Sequence, residues 1–201
     1  MTPRLIIEQK ITALVNRYEI YRATEDGAKG DMIALVEQKR LALKEKVNFF
    51  TDASKSTLAF SFRAEKAMDV HGKFFVEDAE NKRIGIFKKE FKKSLLNSTW
   101  NILGANDSVA LTISESNKAY AVVRRFIGWI PIVGELFEVV SGFIKYHFSF
   151  QNPEGVEVGT YRKTTLFRDH YTLSVDDETY AAQDWRVLAS MAVALDALQS
   201  R

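Results

Sequence analysis

The chain has 201 residues, of which 46% are hydrophobic and 27% charged, and its formal net charge is +2. This length and composition suit one globular domain with its own core, and the near-neutral charge by itself argues for no polyanionic partner. Cysteine is absent, which excludes disulfides, thiolate metal sites and cysteine nucleophiles.

The N-terminal segment is ambiguous in its secondary structure. Apolar residues between Leu5 and Tyr18 fit a helical stripe, but the β-branched content also allows two short strands with a bend near Lys10. Residues 24–27 then form a turn cluster. Charges between Met1 and Glu8 stand where a signal peptide needs an apolar core, so we expect a cytoplasmic protein.

From Tyr18 onwards the chain is patterned as short strands. Leu58 to Ala64 alternates apolar and other residues with the period of a half-buried strand. Similar strands are predicted at 74–76, 84–87, 109–113, 120–123 and 171–175. Turn signals are found at 77–81, 104–107, 152–155 and 176–178. Turns at roughly ten-residue intervals indicate an antiparallel all-β meander.

One hairpin pattern occurs twice. Phe75 and Phe150 each begin a turn-rich stretch, and the returning strands begin at Gly85 and Gly159 with the pattern Gly-x-aromatic-basic-Lys. The repeat suggests two related half-sheets that close on one another. Closure removes the edge strands and leaves a lumen to be filled.

The C-terminal stretch 183–199 predicts a helix that is buried nearly all round. Between Trp185 and Leu198 the sequence is almost entirely apolar, and Asp184 stands at the N-cap position. Four residues of its bulky face should be buried: Leu188, Met191, Leu195 and Leu198. Small residues on the opposite arc are expected where other backbone comes close. We predict a single domain, 1–201, with a strand-rich part at 1–182 and a helix at 183–199 that plugs the barrel.

These features resemble the tubby C-terminal-like fold, in the branch shared by plant LURP-one-related proteins and phospholipid scramblases. The resemblance is carried by the repeated hairpins, by 128–131 and 145–148, and by the tail 184–198. It implies a closed antiparallel barrel of about twelve strands threaded by an apolar C-terminal helix. Tubby proteins bind phosphoinositides and scramblases are attached to membranes. Because this chain has no cysteine cluster for palmitoylation, no membrane anchor is carried over.

The densest charge run extends from Lys82 to Lys93 and contains six basic residues and one acid. The candidate anion-binding or lipid-binding residues are Lys82, Arg83, Lys88, Lys89, Lys92 and Lys93. Each cation near an anionic membrane is worth about 1 kcal/mol, so the run could hold the protein there weakly. The alternative is a solvated strand face on which neighbouring acids balance the charges. A smaller basic group that includes Lys46 is interleaved with acids and carries less weight.

The segment 124–146 combines cationic flanks with a long apolar content. Its membrane-contact candidates are Trp129, Phe126, Arg124 and Arg125. A transmembrane span is disfavoured because Glu135 and Glu138 would each cost about 2.5–3.5 kcal/mol at mid-bilayer. Two interpretations remain open: a short amphipathic helix packed on the barrel end, or a segment that dips into one face of a membrane.

No pattern indicates catalysis. The three histidines, His71, His147 and His170, are isolated in sequence and lack the spacing of a helical metal pair. Phosphate-binding glycine loops, dinucleotide fingerprints and nucleophile motifs are missing. Acid groups such as 176–178 are interpreted as turn residues. We therefore expect no catalytic residue, no metal site and no cofactor.

Two functional hypotheses follow. In the first, the protein is a non-catalytic module that associates with anionic, phosphoinositide-like phospholipid surfaces, at the inner membrane face. In the second, it is a soluble protein-interaction or small-ligand-carrying barrel with an unidentified partner and no lipid role. Nucleic acid is a weaker candidate partner. Lipid binding should fall steeply with salt, whereas binding to an apolar protein interface should not.

Overall fold

The structure, a computed structural model, describes residues 1–11, 15–39, 46–65, 72–90, 99–116, 147–165 and 169–199. Within these ranges the chain forms twelve β-strands and two α-helices. The strands are β1 Thr2–Ile11, β2 Val15–Ala23, β3 Lys29–Lys39, β4 Lys46–Phe50, β5 Leu58–Ala64, β6 Lys73–Asp78, β7 Arg83–Lys89, β8 Thr99–Leu103, β9 Val109–Glu115, β10 His147–Gln151, β11 Glu157–Lys163 and β12 Asp169–Val175. The helices are α1 Asp177–Ala182 and α2 Trp185–Gln199.

The twelve strands form one closed antiparallel barrel. Each strand pairs with its neighbours in sequence, and β1 also pairs with β12, where Leu5 lies opposite Leu173. Because the barrel is closed, every described strand has a hydrogen-bonded neighbour on both sides and none is an edge strand. The predicted closed antiparallel barrel with a C-terminal helix is confirmed. The described residues of the ambiguous segment 5–18 belong to two long strands, β1 up to Ile11 and β2 from Val15. Leu5 and Ile7 of β1, and Tyr18 and Ile20 of β2, lie in the hydrophobic core at every second position.

Three hairpins share one turn geometry. In the turns 24–28, 78–82 and 152–156, the first residue exchanges backbone hydrogen bonds with residues three and four positions later. The fourth residue adopts a positive φ: 81° at Gly27, 62° at Asn81 and 80° at Gly155. Glycine and asparagine tolerate this left-handed conformation best, which explains why the turn signals were readable in the sequence.

The predicted repeat corresponds to the β6–β7 and β10–β11 hairpins. Val76 lies opposite Gly85, and Phe150 lies opposite Gly159, and in both hairpins the register shifts directly after this pair. The residue equivalent to Phe150 is therefore Val76, so the sequence alignment on Phe75 was wrong by one position. In both cases a glycine faces a bulky inward-pointing side chain.

Two strands and one helix were not foreseen. All five residues of β8 are buried, so this strand shows no alternation, and β4 has only five residues. The predicted turn at 176–178 is wrong: Asp176 caps α1 by accepting a hydrogen bond from the Thr179 backbone N–H at 2.7 Å. An aspartate before a short polar stretch suits a helix N-cap as well as a turn. The predicted strand 120–123 lies outside the described residues.

Helix α2 fills the lumen. Every residue from Val187 to Leu195 is buried, including Leu188, Met191 and Leu195 at 0% exposure. The side chain of Leu198 lies outside the described residues. Asp184 acts as the predicted cap, because its carboxylate accepts from the Arg186 backbone N–H at 2.9 Å. The largest buried side chains among the described residues belong to the same hydrophobic core as the helix: Trp100, Tyr18, Tyr161, Phe49, Phe60, Phe87, Phe148 and Phe150.

The C-terminal end of α2 is tied to the barrel wall by polar contacts. Asp196 accepts hydrogen bonds from the Tyr18 hydroxyl at 2.7 Å and from the Tyr171 hydroxyl at 2.9 Å. Tyr18 is fully buried and Tyr171 is 6% exposed. A carboxylate that is taken from water needs such donors, so the two tyrosines allow an acid at this depth and fix the position of the helix.

Candidate anion-binding face

The predicted basic run does not form one surface. Lys82 lies in the turn before β7, and Arg83 and Lys88 lie on the outer face of the barrel. Lys89 points the other way: its ammonium lies 5.5 Å from the ring centre of Trp100, which is fully buried in the core. Alternate side chains of a strand point to opposite faces, so neighbouring lysines separate.

Cross-strand register brings other cations to the outer face of β4–β7. Lys46 lies opposite Arg63, Arg63 lies opposite Phe75, and Lys73 lies opposite Lys88. Residues in register share a face of the sheet. The result is a set that we term the basic face. It consists of Lys46, Arg63, Lys73, Arg83 and Lys88 around the outward ring of Phe75.

Phe75 is the apolar centre of the basic face. Its ring is only 8% exposed, and the guanidinium carbons of Arg83 and Arg63 lie 3.9 and 5.4 Å from its centre. Cation–π contact with an aromatic face orients each guanidinium and shields the ring from water. The two arginines are thus held in place at the surface, with donors left over for an anion.

Three of the five cations have carboxylate partners. Arg63 contacts Glu77 at 2.9 Å, Lys73 contacts Asp107 at 2.5 Å, and Lys88 contacts Glu90 at 2.8 Å. The Lys46 ammonium donates to the neutral Asn81 Oδ1 at 3.3 Å, while Arg83 stacks on Phe75. Among these contacts, positive charge exceeds negative charge.

The carboxyl of Asp107 lies in the positive electrostatic potential of the basic face. The hydrogen bond and charge of Lys73 lower the pKa of this carboxyl below its ordinary value, and the charges of Arg83 and Lys88 add to the effect. Three cations from two strands therefore act on the same solvent-exposed carboxyl. Lys73 and Lys88 also lie directly opposite each other, and their carboxylate partners Asp107 and Glu90 offset the repulsion between these like charges.

The sequence run did not reveal Lys46, Arg63 and Lys73 as members of this face. Each belongs to a different strand, and only the register unites them with Arg83 and Lys88. The sequence held a signal for Arg63, which follows the alternating buried residues Phe60 and Phe62 of β5. It was weaker for Lys73, because Phe74, Phe75 and Val76 of β6 are all buried.

Several predicted site residues lie outside the described residues. They are Lys92, Lys93, Arg124, Arg125, Phe126 and Trp129. The two interpretations of the segment 128–144, packed helix or membrane-dipping segment, lie outside as well. Those residues stay predictions.

The described part of the chain contains no group of three His, Cys, Asp or Glu side chains that could hold a metal ion. His147 lies in β10 and His170 lies in β12. The carboxyl of Asp176 has its pKa lowered by the hydrogen bonds from Thr179, which is the behaviour of a helix cap. In the same ranges, no helix combines the length and the apolar character needed to cross a membrane.

Comparison with known proteins identifies one family. The model of the LURP-one-related family matches residues 32–196 of the chain. This match begins within β3 and ends within α2, so it includes the whole basic face and most of the plug helix. The strands β1 and β2, which close the barrel between β12 and β3, precede it. No curated protein matches the sequence. The chain therefore belongs to the LURP-one-related family.

Proposed function

We propose that this protein is a non-catalytic binding module that associates peripherally with anionic phospholipid surfaces, phosphoinositide-containing ones included, from the cytoplasmic side. The observation that carries the proposal is the basic face, where five cations surround one aromatic ring and three of them have carboxylate partners. Kinship with the tubby and scramblase branch, proposed from the resemblance, agrees with a lipid role.

Electrostatics set the expected strength. A Lys or Arg near an anionic leaflet contributes about 1 kcal/mol, and this contribution falls off within a Debye length of about 8 Å at physiological salt. The carboxylates of Glu77, Glu90 and Asp107 reduce the net attraction. Binding should therefore be weak, reversible and steeply dependent on salt.

The remaining predicted residues extend the proposal. Lys82 lies in the turn beside the basic face, while Lys92 and Lys93 follow β7 in sequence. Trp129, with its cationic and apolar neighbours, would add an apolar contact at the membrane interface. These residues would raise the affinity beyond what the basic face supplies.

Co-sedimentation with vesicles tests the proposal. Neutral phosphatidylcholine vesicles are compared with vesicles that also contain phosphatidylserine or a phosphoinositide, at low and high salt. The test variant is Lys46→Gln/Arg83→Gln, which removes the two cations of the face that have no carboxylate partner among the described residues. The control is Lys29→Gln/Arg162→Gln, an equal change of net charge elsewhere on the barrel.

We expect binding to anionic vesicles only, lost at high salt and in Lys46→Gln/Arg83→Gln but kept in the control. Lys92→Gln/Lys93→Gln should weaken it further. Equal loss in the control would overturn the role of the basic face. Binding to both vesicle types would shift the contact to Trp129 and its neighbours. Absence of binding to either would reject the lipid role.

A second candidate function is that of a soluble protein-interaction or ligand-carrying domain. In this case the basic face is only the solvated outer surface of the sheet. It is favoured by the ion pairs of Arg63, Lys73 and Lys88, which are typical of an ordinary charged surface. Because α2 is buried in the lumen, a carried ligand would have to bind on the outside of the barrel. Salt-insensitive binding to a partner would support this candidate.

A further inference from the structure

A cleft of about 330 Å³ opens at the end of the barrel where β1 begins and β2 ends, next to α1. Its size lies at the lower end of small-ligand pockets. It is separate from the basic face, which is built on β4–β7. The lining residues are Thr2, Pro3, Arg4, Arg22, Ala23, Thr24, Glu25, Asp177 and Tyr180.

Arg4 is directed to this cleft by a β-bulge. Pro3 pairs with Ser174 and Leu5 with Leu173, so Arg4 is an extra residue on β1 with no partner on β12. Bulges re-aim side chains at the ends of barrels. The guanidinium of Arg4 reaches α1, where it forms an ion pair with Asp177 and lies 4.8 Å from the ring centre of Tyr180.

The donors of Arg4 are only partly used. A guanidinium has five N–H groups, and the Nε of Arg4 is buried without a hydrogen-bond acceptor. Leaving a buried donor unsatisfied is unfavourable, most of all on a charged group. Its carboxylate partner, Asp177, has a side chain that is 92% exposed, so solvent weakens this ion pair.

Arg22 supplies a second guanidinium to the same cleft. It lies on β2 opposite Leu5, one position from Arg4, and it is exposed. Among the described residues it has no ion pair and no hydrogen bond from its side chain. Two guanidinium groups that line one cleft repel each other, and an anion between them would remove this repulsion.

We propose that this cleft binds a small molecule through an oxyanion, a carboxylate or a phosphate group, held by Arg22 and Arg4. Guanidinium groups match the planar geometry of such oxyanions and form charge-assisted hydrogen bonds with them. Pro3 and the ring of Tyr180 offer apolar surface to the organic part of the ligand. Asp177 competes for Arg4, and Glu25 at the rim disfavours ligands with a high negative charge.

The site is tested by titrating the full chain with inorganic phosphate and, separately, with acetate. Backbone amide NMR shifts follow the binding of each. A comparison of the two titrations shows whether the cleft takes a phosphate or a carboxylate group. We expect saturable shifts around Ala23, Thr24 and Asp177 with at least one probe. Arg22→Gln should weaken binding about tenfold, the loss expected for one charge-assisted hydrogen bond. Asp177→Asn should tighten it, because Arg4 is released.

Two control variants separate this site from the basic face. Arg162→Gln removes an exposed arginine of β11, and Lys46→Gln/Arg83→Gln alters the basic face, so both should bind like the wild type. Equal weakening in Arg162→Gln, wild-type affinity in Arg22→Gln, weaker binding in Asp177→Asn, or no saturable shift with either probe would overturn the proposal. None of these readouts depends on vesicle binding.

Discussion

Gly85 of β7 lies so close to Val187 of α2 that a β-carbon placed on Gly85 would be 2.3 Å from Val187 Cγ2. Such a distance is far inside van der Waals contact. The barrel wall and the plug helix can approach this closely because the strand residue is a glycine and carries only a hydrogen in place of a side chain. The residue pattern predicts small residues on the helix at close approaches, whereas here the small residue belongs to the barrel wall.

Replacing Gly85 with alanine should destabilise the fold by about 1–3 kcal/mol, the cost of overpacking a core. The matched control is Gly104→Ala, whose added carbon would meet its nearest neighbours at 3.6 Å, an ordinary contact. Chemical denaturation measures both. Combining Gly85→Ala with Val187→Ala should recover part of the loss, because the alanine leaves room. Strictly additive effects would contradict this packing.

Replacing Leu195 with aspartate should prevent folding, because the side chain is fully buried and the new charge would have no partner in the lumen. Leu195→Met keeps the volume and polarity and should cost less than about 1.5 kcal/mol. Solubility and thermal melting of both variants decide the matter. A soluble Leu195→Asp protein with a cooperative melt would show that α2 is not a plug.

Glu19 should make stability depend on pH. Burial alone would raise the pKa of this carboxyl, but hydrogen bonds from Lys10 at 2.9 Å and Tyr21 at 2.7 Å outweigh it, so the pKa is lower than in the unfolded chain. The stabilisation is therefore complete above the unfolded pKa, near 4.5, and is lost as pH falls through the lower folded value.

Glu19→Gln should cost about 1–2 kcal/mol near neutral pH, the scale of a charge-assisted hydrogen bond, and the difference from wild type should shrink below about pH 4. Urea unfolding at several pH values measures it. Glu154→Gln, in an exposed turn, is the control and should leave the profile unchanged. A difference that stays constant down to pH 3 would argue against this assignment.

Much of the barrel was predictable because its signals are local. Alternation identified β5 and β12, turn residues identified the hairpins, and the apolar run identified α2. Strand β8 was not predicted, because all its residues are buried and the alternation of apolar and polar residues is lost. Helix α1 was not predicted, because the aspartate that caps it is also typical of a turn.

The basic face was not predictable in the same way. The basic run from Lys82 to Lys93 is continuous in sequence, but strand geometry directs Lys88 outward and Lys89 toward Trp100. Lys46, Arg63 and Lys73 come from three other strands, so no window of sequence contains the set.

The residue pattern alone predicts the all-β class, the hairpins and the buried terminal helix, because each depends on a periodicity or a turn within a few residues. Tertiary structure alone settles which cations share a surface, how Arg4 and Arg22 come to one cleft, and that β1 closes on β12. The reason is that barrel register couples residues far apart in the chain, and a shift of one position would move every side chain to the opposite face.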